Sequence, residues 1–180
     1  MAKPDAYAEA TKKGGYMILG MSLSAFTTLH TVISLVGILS GFVVLFGLLG
    51  NKRMDGWTAL FLITTVATSA TGFLFPFHGF GPPHYVGMIS LVVLLLAIIA
   101  RYSMHLKGGW RKAYVITAVI ALYFNCFVAV VQAFLKIPAL HALAPKGNEP
   151  PFGAAQTVVL VLFVLLGTKA TKRFRNSLQT

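Results

Sequence analysis

Thr31-Val-Ile-Ser-Leu-Val-Gly-Ile-Leu-Ser-Gly-Phe-Val-Val-Leu-Phe-Gly-Leu-Leu-Gly50 contains no charged residue from end to end. At about 1.5 Å per residue, a helix of that length crosses the roughly 30 Å hydrocarbon core of a bilayer. The run is continuous rather than alternating. Because the bilayer core supplies no water, a spanning backbone must close its own hydrogen bonds, so a helix is expected rather than a strand. Four more long apolar stretches follow, at residues 57–75, 86–106, 111–135 and 152–168.

The composition agrees. Hydrophobic residues make up 57% of the 180 and charged residues 11%, against roughly 25% charged in soluble domains. Five spans leave no room for a separate soluble domain. The expected fold is therefore all-α, an integral membrane bundle of five transmembrane helices. Residues 1–20 form a polar N-terminal extension, partly disordered or interfacial, 21–175 a single transmembrane helical domain, and 176–180 a C-terminal tail. Residues 16–29 are also rather apolar, but two spans do not fit before Gly50. They read as an interfacial lead-in or as the early turns of one tilted helix. Residues 1–15 carry no apolar signal-peptide segment, and the first apolar stretch is too long for a cleaved signal, so it is expected to stay in the membrane.

Charge sets the expected threading. The chain has 15 Lys+Arg against 4 Asp+Glu, a net charge of +11. Ten of the basic residues (Lys52, Arg53, Arg101, Lys107, Arg111, Lys112, Lys169, Lys172, Arg173 and Arg175) fall in segments that five spans place on one side. Only Lys3, Lys12, Lys13, Lys136 and Lys146 fall on the other. The positive-inside rule then puts the C-terminus in the cytoplasm and the N-terminus outside. Trp57 and Trp110 would open spans at the cytoplasmic interface, with Phe75, Phe77, Phe80 and Tyr85 at the outer one, and Arg101 would snorkel to the cytoplasmic interface. Basic residues in short loops next to spans point to the bilayer and its anionic headgroups as partners. No nucleic-acid signature is present.

Four of the five histidines converge on the extracytoplasmic face under this threading. His30 sits at the outer end of the first span, His78 and His84 on the loop Phe75-Pro-Phe-His-Gly-Phe-Gly-Pro-Pro-His-Tyr85, and His141 on the next outer loop. Neutral imidazole ligates haem iron and transition metals, so haem or a metal is a candidate cofactor. The spacing is not that of a helical zinc site, and interfacial histidines are the alternative. Asn125 and Gln132, seven apart, share a helix face expected to turn into the bundle. With Gln156 they are candidates for a small-ligand site or for interhelical hydrogen bonding.

Span two carries Thr64-Thr-Val-Ala-Thr-Ser-Ala-Thr-Gly72, either a packing face of small residues or a polar path. In span one, Gly37 and Gly41 form a small-xxx-small pair for close helix contact. Leu94 is expected to face lipid. Cys126, the only cysteine, excludes an intrachain disulfide and reads as a packing residue.

No acidic residue lies within a span, which argues against a proton-coupled pump. There is no Gly-x-Ser-x-Gly, Walker loop or His-Glu-x-x-His, so no catalytic residue is assigned. The stretch Leu135-Lys-Ile-Pro-Ala-Leu-His-Ala-Leu-Ala-Pro145, continuing to Glu149-Pro-Pro-Phe152, and the lead-in Ala25-Phe-Thr-Thr-Leu-His30 resemble segments of an uncharacterised group of small multi-span proteobacterial inner-membrane proteins. The resemblance covers most of the chain from about Met21. It implies a bacterial inner membrane and supplies no site. The expected role is a non-catalytic accessory or small-ligand-binding protein using its outer face, as a homo-oligomer or a subunit of a larger complex. The alternatives are a metal- or haem-binding redox protein and a small-solute permease.

Overall fold

The computed structural model describes residues 17–76 and 81–175. The described chain opens with a minimal antiparallel hairpin, β1 (Met17–Ile18) and β2 (Met21–Ser22), in which Met17 faces Ser22 and Ile18 faces Met21. Its turn residues Leu19 and Gly20 have φ of 52° and 78°, as a type I′ turn requires at both central positions. The Ser22 hydroxyl then accepts the N–H of Ala25 at 3.3 Å, capping an orphan donor of the first helix.

Five long helices and one short one follow. They are α1 (Leu23–Leu49), α2 (Asp55–Gly72), α3 (Pro82–Ile98), α4 (Trp110–Lys136), α5 (Pro138–Leu143) and α6 (Pro150–Arg173). α3 runs on into a single π turn, Ile99–Ser103, closed by the N–H of Met104 on the carbonyl of Ile99 at 2.9 Å. α1 begins eight residues before the sequence-derived span, so residues 23–29 are its early turns and the hairpin is the remainder of the lead-in. The loop expected near residue 139 contains the short helix α5.

Four helical segments are long and apolar enough to cross a membrane: α1, α3 with its π turn, α4 and α6. α2 is not among them, although the sequence suggested a span there. The cause is its composition: six of its 18 residues are threonine or serine, and Asp55 opens it. Thr58 and Thr65 are fully buried, and Thr64, Thr68, Ser69 and Thr71 partly so. Its exposed face carries Trp57, Leu60 and Ile63. α2 lies between α1 and α3, with its most extensive packing on α1, so its hydroxyls meet protein.

The packed core occupies one half of the bundle. Val44, Leu45 and Leu48 of α1, Phe61 and Leu62 of α2, Leu94 and Ala97 of α3, Tyr114, Val115, Ala118, Val119, Ala121 and Leu122 of α4 and Phe163 and Ala170 of α6 converge towards the end where α1 turns into α2. Gly41 permits this approach. A β-carbon there would lie 2.5 Å from Leu122 Cδ1 and 2.9 Å from the Phe61 ring. Gly37 is buried beside Thr64 and Thr65, so both glycines of the small-xxx-small pair stand at helix contacts. Gly72 does not. A β-carbon there would meet only His30 Cε1, at 4.0 Å. Leu94, expected at the lipid face, is 0% exposed. It belongs to an inward stripe Ser90, Leu94, Ala97 and Arg101, all buried, whose spacing of four, three and four follows one helix face.

Candidate functional site

The other half of the bundle is joined by a polar seam. α1 and α2 run antiparallel, so residues three or four apart on each meet in successive layers. In the layer nearest the α2–α3 loop, His30 Nδ1 lies 2.9 Å from Thr71 Oγ1. One turn deeper, the hydroxyls of Ser34 and Thr68 are 3.4 Å apart. In the next layer Asn125 of α4 donates from Nδ2 to Thr65 Oγ1 at 3.1 Å, in the space left by Gly37. The apolar layer of Gly41, Phe61 and Leu122 closes the seam. A parallel contact joins Ser69 of α2 to Ser90 of α3 at 3.1 Å.

Three of the seam hydroxyls also bond back to their own helix. Ser34 donates to the carbonyl of His30 at 2.7 Å, Thr64 to that of Leu60 at 2.7 Å, and Thr71 to that of Ala67 at 2.6 Å. This bonding satisfies a hydroxyl donor inside an apolar environment and has a consequence for His30. With the Thr71 hydrogen directed at Ala67, Thr71 Oγ1 accepts, and His30 donates from Nδ1. That tautomer leaves the Nε2 lone pair as an acceptor. The ring is further held edge-on against Phe75, with centroids 5.1 Å apart, and Phe75 packs on Phe26 at 5.0 Å.

His30 does not begin α1, as the threading suggested, but lies two turns inside it. His84 Nδ1 accepts the N–H of Gly81 at 3.2 Å across the first turn of α3, and its ring lies 6.0 Å from that of Phe73. His30 and His84 thus pack against different residues at the end of α2. His141 is exposed on α5. His78 lies outside the described residues, as do Phe77 and Phe80. Among the described residues, no group of three or more His, Cys, Asp or Glu side chains is arranged to hold a metal ion.

The amides separate. Asn125 turns into the seam, whereas Gln132, expected on the same inward face, is exposed. Gln156 ties α6 to α4, its Nε2 donating to the carbonyl of Phe127 at 3.1 Å. Its Oε1 is buried without a hydrogen-bond partner among the described residues. Nearby, Phe134 and Phe152 pack edge to face at 5.4 Å.

A second polar cluster lies at the opposite end of the bundle. Arg101 does not snorkel; it is 2% exposed. Its guanidinium pairs with Asp55 Oδ1, at the start of α2, and lies 5.0 Å from the centre of the Tyr114 ring and 5.8 Å from that of Tyr102. Arg53 Nε reaches the same carboxylate oxygen at 2.7 Å, and the Tyr114 hydroxyl is 3.3 Å from that of Thr58. Arg111 donates to the carbonyl of the buried Phe174, and the N–H of Arg175 donates to Asn51 Oδ1 at 2.6 Å. The segment that follows α6 is thereby fastened to the α1–α2 turn. The only local hint of it is that the two polar residues of α3 and its π turn that are buried, Ser90 and Arg101, fall on one helix face.

Chemically, the seam can hold hydroxyls and an amide rigidly and can present one imidazole acceptor. Comparison of the chain with protein-family models, with curated proteins and with solved structures gives no match.

Proposed function

We propose that the chain is a five-span protein of a bacterial inner membrane, N-terminus outside and C-terminus cytoplasmic. On this reading it is a non-catalytic accessory protein that binds a small polar ligand at the outer end of the α1–α2 seam. The fifth span is α2. Its 18 residues make about 27 Å of helix, close to the hydrocarbon thickness. Trp57, Leu60 and Ile63 face outward to lipid while its hydroxyls are spent within the bundle. The orientation rests on the ten-to-five division of basic residues, and the bacterial membrane on the resemblance of residues 25–30 and 135–152 noted above.

One observation carries the ligand reading. Thr71 and Phe75 hold the His30 ring in a fixed tautomer, which leaves Nε2 an acceptor for an N–H or O–H of a bound molecule. A continuous permeation path is disfavoured, since the Gly41–Phe61–Leu122 layer blocks the seam.

The test uses protein purified from native membranes. Native mass spectrometry of wild type and His30→Ala, in matched detergent, should show a small molecule retained by the first and lost from the second, with helix content unchanged. Equal retention, or none in either, would refute the role of His30. A Soret band or stoichiometric metal would replace the proposal with a redox function. Reporters placed before Met1 and after Thr180 test the threading, and finding both on one side overturns the five-span reading.

A further inference from the structure

Between α4 and α6, on the outer surface of the bundle, runs a groove of about 400 Å³. Its walls are apolar, formed by Ile116, Ile120, Leu160 and Val164. Its floor is the close approach of Gly167 to Val119, where a β-carbon on the glycine would come within 3.1 Å of Val119 Cγ1. At one end it is stopped by Tyr123 and Phe163, whose rings pack at 5.8 Å. At the other end it opens past Thr171 to Lys172.

Three features identify what fits there. The first is length. From Leu160 to Lys172 along α6 is about 18 Å of helix, close to half the roughly 30 Å hydrocarbon core. The groove is therefore one leaflet deep, with its polar end at that leaflet's surface. The second is charge. Lys172 and Lys112 are exposed. Lys112 lies four and eight residues before Ile116 and Ile120, on the same face of α4, one turn beyond the groove's lining at its open end. Neither lysine is in an ion pair among the described residues, where the only salt bridges are those of Asp55 with Arg53 and Arg101. The third is the state of the hydroxyls. Thr168 and Thr171 donate to the carbonyls of Val164 and Gly167 at 2.7 and 2.8 Å, so the lysines are the donors left for an anion.

We propose that this groove is a binding site for one anionic phospholipid, its acyl chain lying between α4 and α6 and its phosphate held by Lys112 and Lys172. A detergent without charge would leave two ammonium groups uncompensated, and a zwitterionic lipid brings its own cation beside its phosphate, so selectivity belongs to the net charge of the headgroup. An anionic headgroup near the membrane surface gains about fivefold in affinity from each lysine. The site rests on α4 and α6 crossing the bilayer, and its polar end falls in the cytoplasmic leaflet under the threading proposed above.

The experiment uses the full chain in nanodiscs of phosphatidylcholine containing phosphatidylglycerol as the anionic lipid, followed by release into detergent and native mass spectrometry. Wild type should retain one phosphatidylglycerol per chain in preference to phosphatidylcholine. The Lys112→Gln/Lys172→Gln protein should lose that preference by tenfold or more. Lys52→Gln/Lys107→Gln, which removes the same charge elsewhere, should keep it. Val164→Trp, which fills the groove, should lose retention of both lipids. Circular dichroism confirms that each variant is folded, and a variant that fails to fold is replaced by Lys112→Met/Lys172→Met or Val164→Phe. Equal loss in both double variants would reduce the effect to bulk charge and overturn the site, as would undiminished binding after the groove is filled. Protein that reconstitutes but shows no headgroup preference refutes this site alone. Protein whose C-terminus a topology reporter places outside refutes the threading beneath it.

Discussion

Replacing Asp55 by Asn tests the least expected contact in the molecule, the pairing of a buried arginine with the first residue of α2. Two opposite charges about 4 Å apart attract by roughly 4 kcal/mol in an effective dielectric of 20 and by about 1 kcal/mol in water. The Asp55 side chain is 65% exposed and Arg101 only 2%, so the pair lies between these limits, nearer the lower one because exposed pairs are worth about 0.2–1 kcal/mol. A coupling of about 1.5 kcal/mol follows.

The two single substitutions should differ. Asp55→Asn strands a buried guanidinium whose remaining support is the faces of Tyr114 and Tyr102, worth about 0.5–2 kcal/mol, and should cost about 2–3 kcal/mol once the usual cost of breaking a buried pair is discounted for exposure. Arg101→Met places a side chain of similar reach among apolar neighbours and leaves Asp55 with Arg53, so it should cost about 1 kcal/mol. The double variant should cost about 2 kcal/mol, less than the sum of the two singles by the coupling of about 1.5 kcal/mol, because the Asp55–Arg53 pair is lost as well. Unfolding in mixed micelles, followed by the fluorescence of Trp57 and Trp110, measures all four corners of the cycle. Additivity within about 0.5 kcal/mol, or a larger cost for Arg101→Met than for Asp55→Asn, would refute the reasoning.

Gly41→Ala pushes a methyl into Leu122 and the Phe61 ring. The overpacking cost of about 1–3 kcal/mol, less up to about 1 kcal/mol regained in helix propensity, should lower stability by about 1 kcal/mol. Gly72→Ala meets open space and should be neutral or slightly stabilising in the same unfolding assay. Leu94→Ala should cost about 2–5 kcal/mol as a core truncation, while Leu95→Ala, 57% exposed, should change the midpoint little. Near α6, the Glu149 carboxylate accepts the N–H groups of Lys146 at 2.9 Å and Asn148 at 3.1 Å. These bonds, that from Lys146 foremost, hold its carboxyl below the ordinary range. Because the folded-state value is the lower one, the contribution of this turn is complete above the ordinary glutamate value of about 4.3. It is lost as pH falls through the lowered value. Hydrogen exchange of the Lys146 and Asn148 amides should therefore lose protection on acidification in wild type but show no such step in Glu149→Gln.

Apolar run length and the absence of alternation were enough to identify the helices, because both are properties of consecutive residues and a spanning helix closes its backbone bonds within itself. The Gly37–Gly41 pair was legible for the same reason: a four-residue spacing of small residues is local. Four of the helices are also apolar enough to cross a membrane on composition alone, whereas α2 is not, since six of its 18 residues are threonine or serine. Which face turns inward was a different matter. In a membrane protein the lipid-facing and core-facing sides are both apolar, so hydropathy does not distinguish them, and Leu94 was assigned to the wrong side. Arg101 was read as a side chain reaching for water because its partner, Asp55, is forty-six residues away and meets it only once α2 and α3 pack. Asn125 and Gln132 share a sequence pattern, yet α1 and α2 cover only the turn that carries Asn125. The tautomer of His30 depends on a threonine from another helix whose own hydrogen is already spent. Long-range contacts such as these are set by how the helices rotate against one another, and no periodicity within a single helix encodes that rotation.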